Sequence, residues 1–356
     1  MRMTRPYVTV LIDACNHERF IEQAITSVLE QDFPAADREI LVVDDGSTDR
    51  TPDLVRRFEP HVQLLRKTNG GQASAFNAGI PQARGEVVAF LDGDDWWVNS
   101  KLSKVIPVFE AEPAVGIVGH GTTEVFLNGD QHTEILVDSP RYRLDSPAGA
   151  RLFRIRKSFL GTRSTIRRSV LAQLLPVPEG IRVQADEFIF TMAAALSDVQ
   201  ILPEALFFYR LHAANNYMVH GSNREALRRK VRSLSILAEQ LRVRLARLGV
   251  SKETVHVAVH AIEVEAKQLR LTVDGGFPWE TVKTELASYR ISHSDAPWSH
   301  RIFKHVGLIP ALFLPPRTYY AAKLRLAAAG WYLRARKYIF PVPQPGHVAR
   351  TWRSGS

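Results

Sequence analysis
The chain has 356 residues, 45% of them hydrophobic, with 46 Lys and Arg against 37 Asp and Glu. Those proportions belong to a globular protein with room for one large domain and an appendage, or for two ordinary domains, and they exclude a disordered or low-complexity chain. One cysteine, Cys15, excludes an intrachain disulfide, and no apolar run reaches the length of a spanning helix or a secretory leader, so a cytoplasmic chain is expected.

Short apolar runs alternate with helical stretches over the first ninety residues: strand 7–12 then helix 18–30, strand 39–43 then helix 49–58, strand 62–65 then helix 72–83, and strand 86–91. This order predicts an α/β domain with a mixed, mostly parallel sheet and helices on both faces. Strand-like pieces follow at 115–118, 122–127 and 133–137, then a helix over 185–196 and a strand over 205–211. From Gly221 the pattern is helical. Leu227, Val231, Leu234, Ala238, Leu241, Leu245 and Leu248 recur at helical spacing, as do Val255, Ile262, Ala266, Leu269 and Val273. Gly249 and Ser251 stop one helix and start the next, which makes 221–300 a helical hairpin burying its stripes between its own helices. No Pro/Gly-rich linker separates it from residues 1–220, so it is placed to wall a cleft or to pair two copies of the chain.

Charge is uneven along the sequence. Ten of the basic residues and none of the acidic ones lie in 301–356, which leaves 1–300 within one charge of neutral. Tyr320, Leu324, Trp331 and Tyr338 are interleaved there with Lys323, Arg325, Arg334, Arg336 and Lys337, the composition of an interfacial helix on an anionic membrane. A solvated basic helix packed on the body is the plainer alternative, and nucleic acid is a disfavoured partner. The stretch after Pro341 reads as disordered.

Acidic residues gather where strands should end. Asp44-Asp45 follows 39–43, and Asp92-Gly93-Asp94-Asp95 follows 86–91, at the carboxyl edge where open α/β sheets bind ligands. Paired clusters of hard oxygen ligands suit Mg²⁺ or Mn²⁺ shared with substrate phosphates. For either cluster alone, turn and cap aspartates explain the pattern equally well.

Val8–Asn16, Glu39–Thr51, Asn69–Gly79 and Gly85–Trp97 together resemble the family 2 glycosyltransferases, inverting GT-A enzymes that use nucleotide sugars; the likeness runs over about the first 215 residues. The resemblance implies that Asp45 recognises the nucleotide base, that Asp92-Gly93-Asp94 approaches the ribose and holds a divalent metal on the diphosphate, and that Asp44 and Asp95 support them. It implies donor contacts from Ala14, Asn16, Gly71 and Arg66, a catalytic base at Asp186 of Gln184-Ala185-Asp186-Glu187, with Glu187 as support or understudy, and a metal or diphosphate role for His212 of Tyr209-Arg210-Leu211-His212. Mn²⁺ or Mg²⁺ is the implied cofactor and a nucleoside diphosphate sugar the donor, UDP-linked donors being the family's commonest. With the basic tail, a lipid-linked or cell-envelope glycan at the membrane face becomes the expected acceptor.

The chain departs from the pattern at Asp13-Ala14-Cys15-Asn16, where the family usually carries a hydroxyl and an aromatic residue against the base. That departure motivates an alternative, a glycosyltransferase fold without turnover that serves as a binding or assembly module. A phosphorylation-dependent receiver domain shares the Val-Val-Asp-Asp run. It would need its acidic pair on the first strand and a lysine on a late one, and residues 105–156 contain no lysine.

Overall fold
The computed structural model describes residues 6–212, 224–292, 308–328 and 348–353. A parallel block comes first, formed by β1 (Val8–Ala14), β2 (Arg38–Asp45), β3 (Gln63–Lys67) and β4 (Val87–Asp92), with β1 between β2 and β4 and β3 outside β2. Beyond β4 the pairing turns antiparallel through β9 (Thr165–Arg167), β6 (Val115–Phe126), β7 (Gln131–Leu136) and β11 (Val348–Arg353). The long β10 (Asp198–Leu211) runs parallel to β6 and takes two short partners, β5 (Trp96–Trp97) and β8 (Arg141–Tyr142).

Strict alternation along the central strands makes two cores. Val8, Val10 and Ile12 of β1, Ile40 and Val42 of β2, and Ala89 and Leu91 of β4 face α1 (Ile21–Leu29), α2 (Thr51–Arg56) and α4 (Lys101–Ala111). Leu11, Leu41, Val43, Val88 and Phe90 face the other way, toward α3 (Gln72–Gly79), α5 (Pro147–Arg156), α6 (Arg168–Leu174) and α7 (Ala185–Leu196). Because β1, β2 and β4 are covered on both faces, they read as unbroken apolar runs in the sequence.

Two predicted strands, 115–118 and 122–127, are one continuous β6. Gly119 and Gly121 between them are there for close approach: a Cβ would meet the Phe159 carbonyl oxygen at 2.4 Å and the Glu134 carbonyl oxygen at 2.5 Å respectively. β10 likewise begins earlier than the predicted 205–211, since β6 templates residues 198–204 as a neighbour.

The hairpin is present as α8 (Arg224–Arg247) and α9 (Lys252–Asp274), with Gly249 at φ 76 between them and the Ser251 hydroxyl accepting from the Thr254 N–H. Leu234, Leu237, Leu241, Val259 and Ile262 belong to the same core as α7 and β4, so the hairpin packs directly on the body. A third helix, α10 (Pro278–Ser292), continues it, and α11 (Ile309–Phe313) and α12 (Pro316–Ala328) close a small separate core of Leu271, Leu308, Ala311, Tyr319 and Tyr320. Among the described residues no helix is long and apolar enough to cross a membrane. Trp331, Arg334, Arg336, Lys337 and Tyr338 of the expected interfacial helix lie outside the described residues. The stretch beyond Pro341, read as disordered, contains β11, paired antiparallel with β7 from Val348 opposite Leu136 to Arg353 opposite Gln131. Six residues alternating Val-Ala-Arg-Thr-Trp-Arg gain order from the edge they join, which no local pattern announces.

At the amino edge of the parallel block, the buried Thr9 hydroxyl donates to Glu39 Oε2 at 2.6 Å and accepts from the Gly85 N–H at 2.8 Å, while Arg84 Nε meets Glu39 Oε1 at 2.5 Å. Thr9→Val keeps the shape, strands the buried Gly85 N–H and leaves Glu39 with Arg84 alone, so denaturant unfolding is expected to show a loss of about 1–3 kcal/mol. Turnover should be unchanged, since this network lies at the opposite end of the strands from the acids.

Candidate active site
Alternation sends the strand-end acids to one corner. Thr9, Leu11 and Asp13 share a face of β1, Leu41, Val43 and Asp45 a face of β2, and Val88, Phe90 and Asp92 a face of β4. This is the face that α3 and α7 cover. Asp13, Asp45 and Asp92 therefore leave the core on the side where α7 opens with Ala185-Asp186-Glu187. The two helix starts are tied together: Gln72 Oε1 accepts from the Ala185 N–H at 2.8 Å, and the Gln72 N–H donates to the Arg182 carbonyl.

Asp13 stands opposite Asp92 in the β1–β4 register, and the Gly93 N–H donates to the Asp13 carbonyl at 2.9 Å. A side chain at 93 would meet His17 Nδ1 at 2.7 Å, so only glycine lets the loop close on the end of β1. Past that turn, Asp92, Asp94 and Asp95 each bring a carboxylate oxygen within 4.8 Å of the others. The Thr162 hydroxyl donates to Asp92 Oδ2 at 2.7 Å, and His212 Nε2 lies 3.0 Å and His17 Nε2 4.0 Å from Asp94 Oδ2. Arg210 laces the loop to β10: its backbone N–H donates to Asp95 Oδ1 at 2.7 Å and its Nε to the Asp94 carbonyl at 2.9 Å. Trp96 stacks on Phe208 at 4.9 Å and Trp97 is buried, so the tryptophan pair anchors the loop against β10.

Packing these carboxyls together is electrostatically costly. Burial, then the charges of Asp94 and Asp186, raise Asp13 to about 7. Burial, then the charges of Asp13, Asp94 and Asp95, push Asp92 well above the usual carboxylate range, and burial with Asp94 does the same to Asp95. Asp94 goes the other way. Burial opposes it, yet the hydrogen bond with His212 and the charges of His17 and His212 hold its carboxyl below the ordinary value. Among the described residues, Asp13 Oδ1 and Asp95 Oδ2 are buried and have no hydrogen-bond partner. Clustered hard oxygens, two of them orphaned, beside a carboxylate kept ionised, fit a divalent cation of the Mg²⁺ or Mn²⁺ kind.

Asp186 lies in the first turn of α7, half-buried. It is not the helix cap; Gln184 takes that position in a left-handed conformation, with no side-chain cap bond. Burial first, then the charge of Glu187, raise its carboxyl to about 6. Oδ2 faces the Gly161 turn, where a Cβ would come to 3.0 Å, so residues 161 and 162 touch both Asp186 and Asp92. Glu187 is buried and accepts from Lys157 Nζ at 2.5 Å.

The end of β2 forms the other flank. Both Asp45 oxygens accept bonds, from Lys67 Nζ at 2.7 Å and the Gly70 N–H at 2.9 Å on Oδ1, and from the Gly71 N–H at 2.7 Å on Oδ2. Asp45 thus orders the Asn69–Gly71 loop. Gly71 has φ 86, and a Cβ there would strike the Arg182 carbonyl oxygen at 2.8 Å. Arg66 lies 3.1 Å from the buried Asp44 carboxylate and donates to the Ser47 carbonyl, which places it on the β2 turn. Asn16, at φ 58, is welded to the same turn: its N–H donates to the Ser47 hydroxyl and its Oδ1 accepts from the Thr48 N–H. Ala14 is buried at the end of β1. Cys15 Sγ accepts from Asn69 Nδ2 at 3.3 Å, and burial, then Asp45, raise its thiol, so it is a packed group and no activated nucleophile. Gly46, Ser47, Arg66, Lys67, Thr68 and Asn69 line an open cleft of about 470 Å³.

The candidate donor, metal and base residues named from the sequence lie on the ends of β1 to β4 and β10, on the turns that follow them, or in the first turn of α7. Sequence reasoning named Asp13 only as part of a departure, quoted Arg210 only as part of the motif around His212, and passed over His17 and Thr162. Asp13 carried a usable signal, a carboxylate ending an apolar strand; His17 and Thr162 are brought in by tertiary contacts alone.

Residues 9–175 match the model of the glycosyl transferase family 2. An uncharacterized glycosyltransferase of Nostoc sp. is 33% identical over 223 residues, 60% of this chain and 68% of that protein. TuaG, a putative teichuronic acid biosynthesis glycosyltransferase of Bacillus subtilis, is 40% identical over 105 residues, 28% of this chain and 40% of its own length. Among solved structures, the mannosyltransferase PcManGT of Pyrobaculum calidifontis, in complex with GDP-Man and Mn²⁺, superposes with a TM-score of 0.52 at 21% identity, covering 94% of this chain and 88% of that one. That likeness is one of fold, the GT-A arrangement of a mixed sheet with its helical extension.

Proposed function
The chain belongs to family 2 of the glycosyltransferases, and from that premise we propose that it moves a hexosyl group from a nucleoside diphosphate donor to an acceptor hydroxyl with inversion at the anomeric carbon. One observation carries this reading: the carboxylates ending β1, β2 and β4 leave the core on the face where α7 starts with Asp186. Asp45 and the Asn69–Gly71 loop it orders, with Ala14, Asn16 and Arg66 beside them, close around the nucleoside. Asp92 and Gly93 approach the ribose and diphosphate. The PcManGT complex supports a divalent cation at this edge; Mn²⁺ or Mg²⁺, held by Asp94 with His212 and supported by Asp95, would supply a Lewis acid for the charge of the leaving diphosphate.

The residues of the chain divide the rest of the work. Asp186 accepts the proton of the acceptor hydroxyl as its oxygen bonds to the anomeric carbon, and the bond to the diphosphate breaks with its electron pair going to the phosphate oxygen. Thr162 fixes Asp92, Arg210 fixes the Asp94–Asp95 backbone, and Lys157 fixes Glu187, so that Asp186 is left as the accepting group. A glycan of the cell envelope, lipid-linked and presented at the cytoplasmic membrane face, is the acceptor we propose, supported by the likeness to TuaG and by the acid-free 301–356 segment.

The test is nucleoside diphosphate release, together with thermal shift, for UDP-, GDP- and dTDP-sugars with and without Mn²⁺, UDP-linked donors first. A donor that binds only with the cation is expected to raise the melting temperature. A flat panel across all donors would refute the donor site.

A pH profile tests the base. A group must be unprotonated to accept a proton, so kcat/KM is expected to rise through about pH 6 and level off above it, following Asp186. Glu187→Gln removes the neighbouring charge that helps raise that carboxyl, so the rise should move to lower pH. An unmoved midpoint would assign the titration to another group.

A further inference from the structure
We infer that the corner made by the start of α10 and by α11 is the surface with which this protein docks on an anionic bilayer; the inference rests on the proposal that it works at a membrane. Half of the large hydrophobic side chains exposed among the described residues sit at this corner: Phe277 at 66%, Trp279 at 52%, Ile309 at 49%, Leu312 at 52% and Phe313 at 78%. Their outward placement follows from the helix itself. Leu308 and Ala311 turn into the small core with Leu271, Val282 and Tyr319, which commits Ile309, Leu312 and Phe313 to the opposite side. Phe277 and Trp279 stack with ring centroids 6.4 Å apart, one turn before the Val282 against which that core packs.

Charge around the corner selects an anionic partner. Lys283 Nζ stands 4.6 Å over the Trp279 ring, and Arg317 donates to the Asp274 carbonyl at the mouth of the 275–277 turn. The nearby carboxylates are spoken for: Glu280 by Lys267 and the Phe277 N–H, Glu285 by Lys323, and Asp274 by Arg228. In sequence, residues 301–356, to which α11 and α12 belong, hold ten basic residues and no acid. Aromatic and aliphatic groups standing outward beside Lys283 and Arg317 suit the headgroup layer of a bilayer, into which apolar tips insert while lysine and arginine stay at the phosphates.

The experiment is co-sedimentation of the full chain with vesicles of equal parts phosphatidylcholine and phosphatidylglycerol, and with pure phosphatidylcholine vesicles, alongside size-exclusion chromatography. Expected are binding to the anionic vesicles that weakens with salt, and a roughly 10-fold or greater loss of partitioning in Leu312→Asp/Phe313→Asp and in Phe277→Ser/Trp279→Ser. The melting temperature and the vesicle-free release of nucleoside diphosphate should be unchanged in both variants. If the unaltered chain ignores anionic vesicles, the corner and the membrane reading fall together. If it binds and the variants bind equally well, the corner alone falls. Should the variants instead convert a dimer into a monomer, a second copy covers the corner and the inference is overturned.

Discussion
Asp186→Asn is expected to lower kcat by about 10²- to 10⁴-fold while donor binding and folding are retained, the loss that removing a positioned general base produces. The size of the effect follows from how little else could take the proton. Glu187 is next in sequence, but it is buried and bonded to Lys157 Nζ at 2.5 Å. Asp13 and Asp92 face each other at the ends of β1 and β4, both raised by burial, and in the proposed reading Asp92 serves the donor. Asparagine retains the size of the side chain and makes the half-buried position neutral, so the melting temperature should hold. The assay is acceptor-dependent transfer with a confirmed donor, beside calorimetric donor affinity. Near-full transfer by the variant would remove Asp186 from the mechanism.

The second large effect is expected at Asp94. Asp94→Asn should abolish the part of donor binding that depends on Mn²⁺ and reduce turnover by roughly 10²-fold or more, since several kcal/mol of charge stabilisation at the diphosphate is lost. Within the Asp92–Asp95 cluster, Asp94 is the carboxylate held below the ordinary range, with His212 3.0 Å away. Asp13, Asp92 and Asp95 are driven toward protonation by burial and by neighbouring carboxylates. Titrating Mn²⁺ and nucleoside diphosphate into both proteins, with the melting temperature followed in parallel, checks this: the rise on adding cation and nucleotide should be present in the parent and absent in the variant. An equal rise in both would move the cation elsewhere.

Much of this site could be read in the chain because its positions obey short periods. Runs such as Val87-Val88-Ala89-Phe90-Leu91 specify a strand buried on both faces, and the acids that end them specify an edge. Asp186 fell where a helix of clear pattern begins, and α7 runs over Ala185–Leu196 as its composition predicts. What the chain hid depends on contacts between distant segments. Thr162 reaches Asp92 from a turn with no period of its own, and Arg210 is an ordinary strand arginine until β10 lies beside the Asp94–Asp95 loop. Gly119 and Gly121 look like punctuation and serve instead as places where backbones touch. The Asp45 carboxylate, which the family pattern assigns to the nucleotide, is also committed to three protein donors, a fact no motif states.

The pairing of β11 with β7 bears on how the chain reaches its native state. β7 is made early in synthesis, yet its outer hydrogen-bonding groups are met by residues 348–353, separated from it in sequence by the whole helical region. Contacts of such long separation close late. A nascent chain therefore carries β7 as a bare sheet edge while residues 137–347 are made, a template for pairing with other chains. Until residues 348–353 arrive, the interval in which this chain is exposed to aggregation is set by the ribosome.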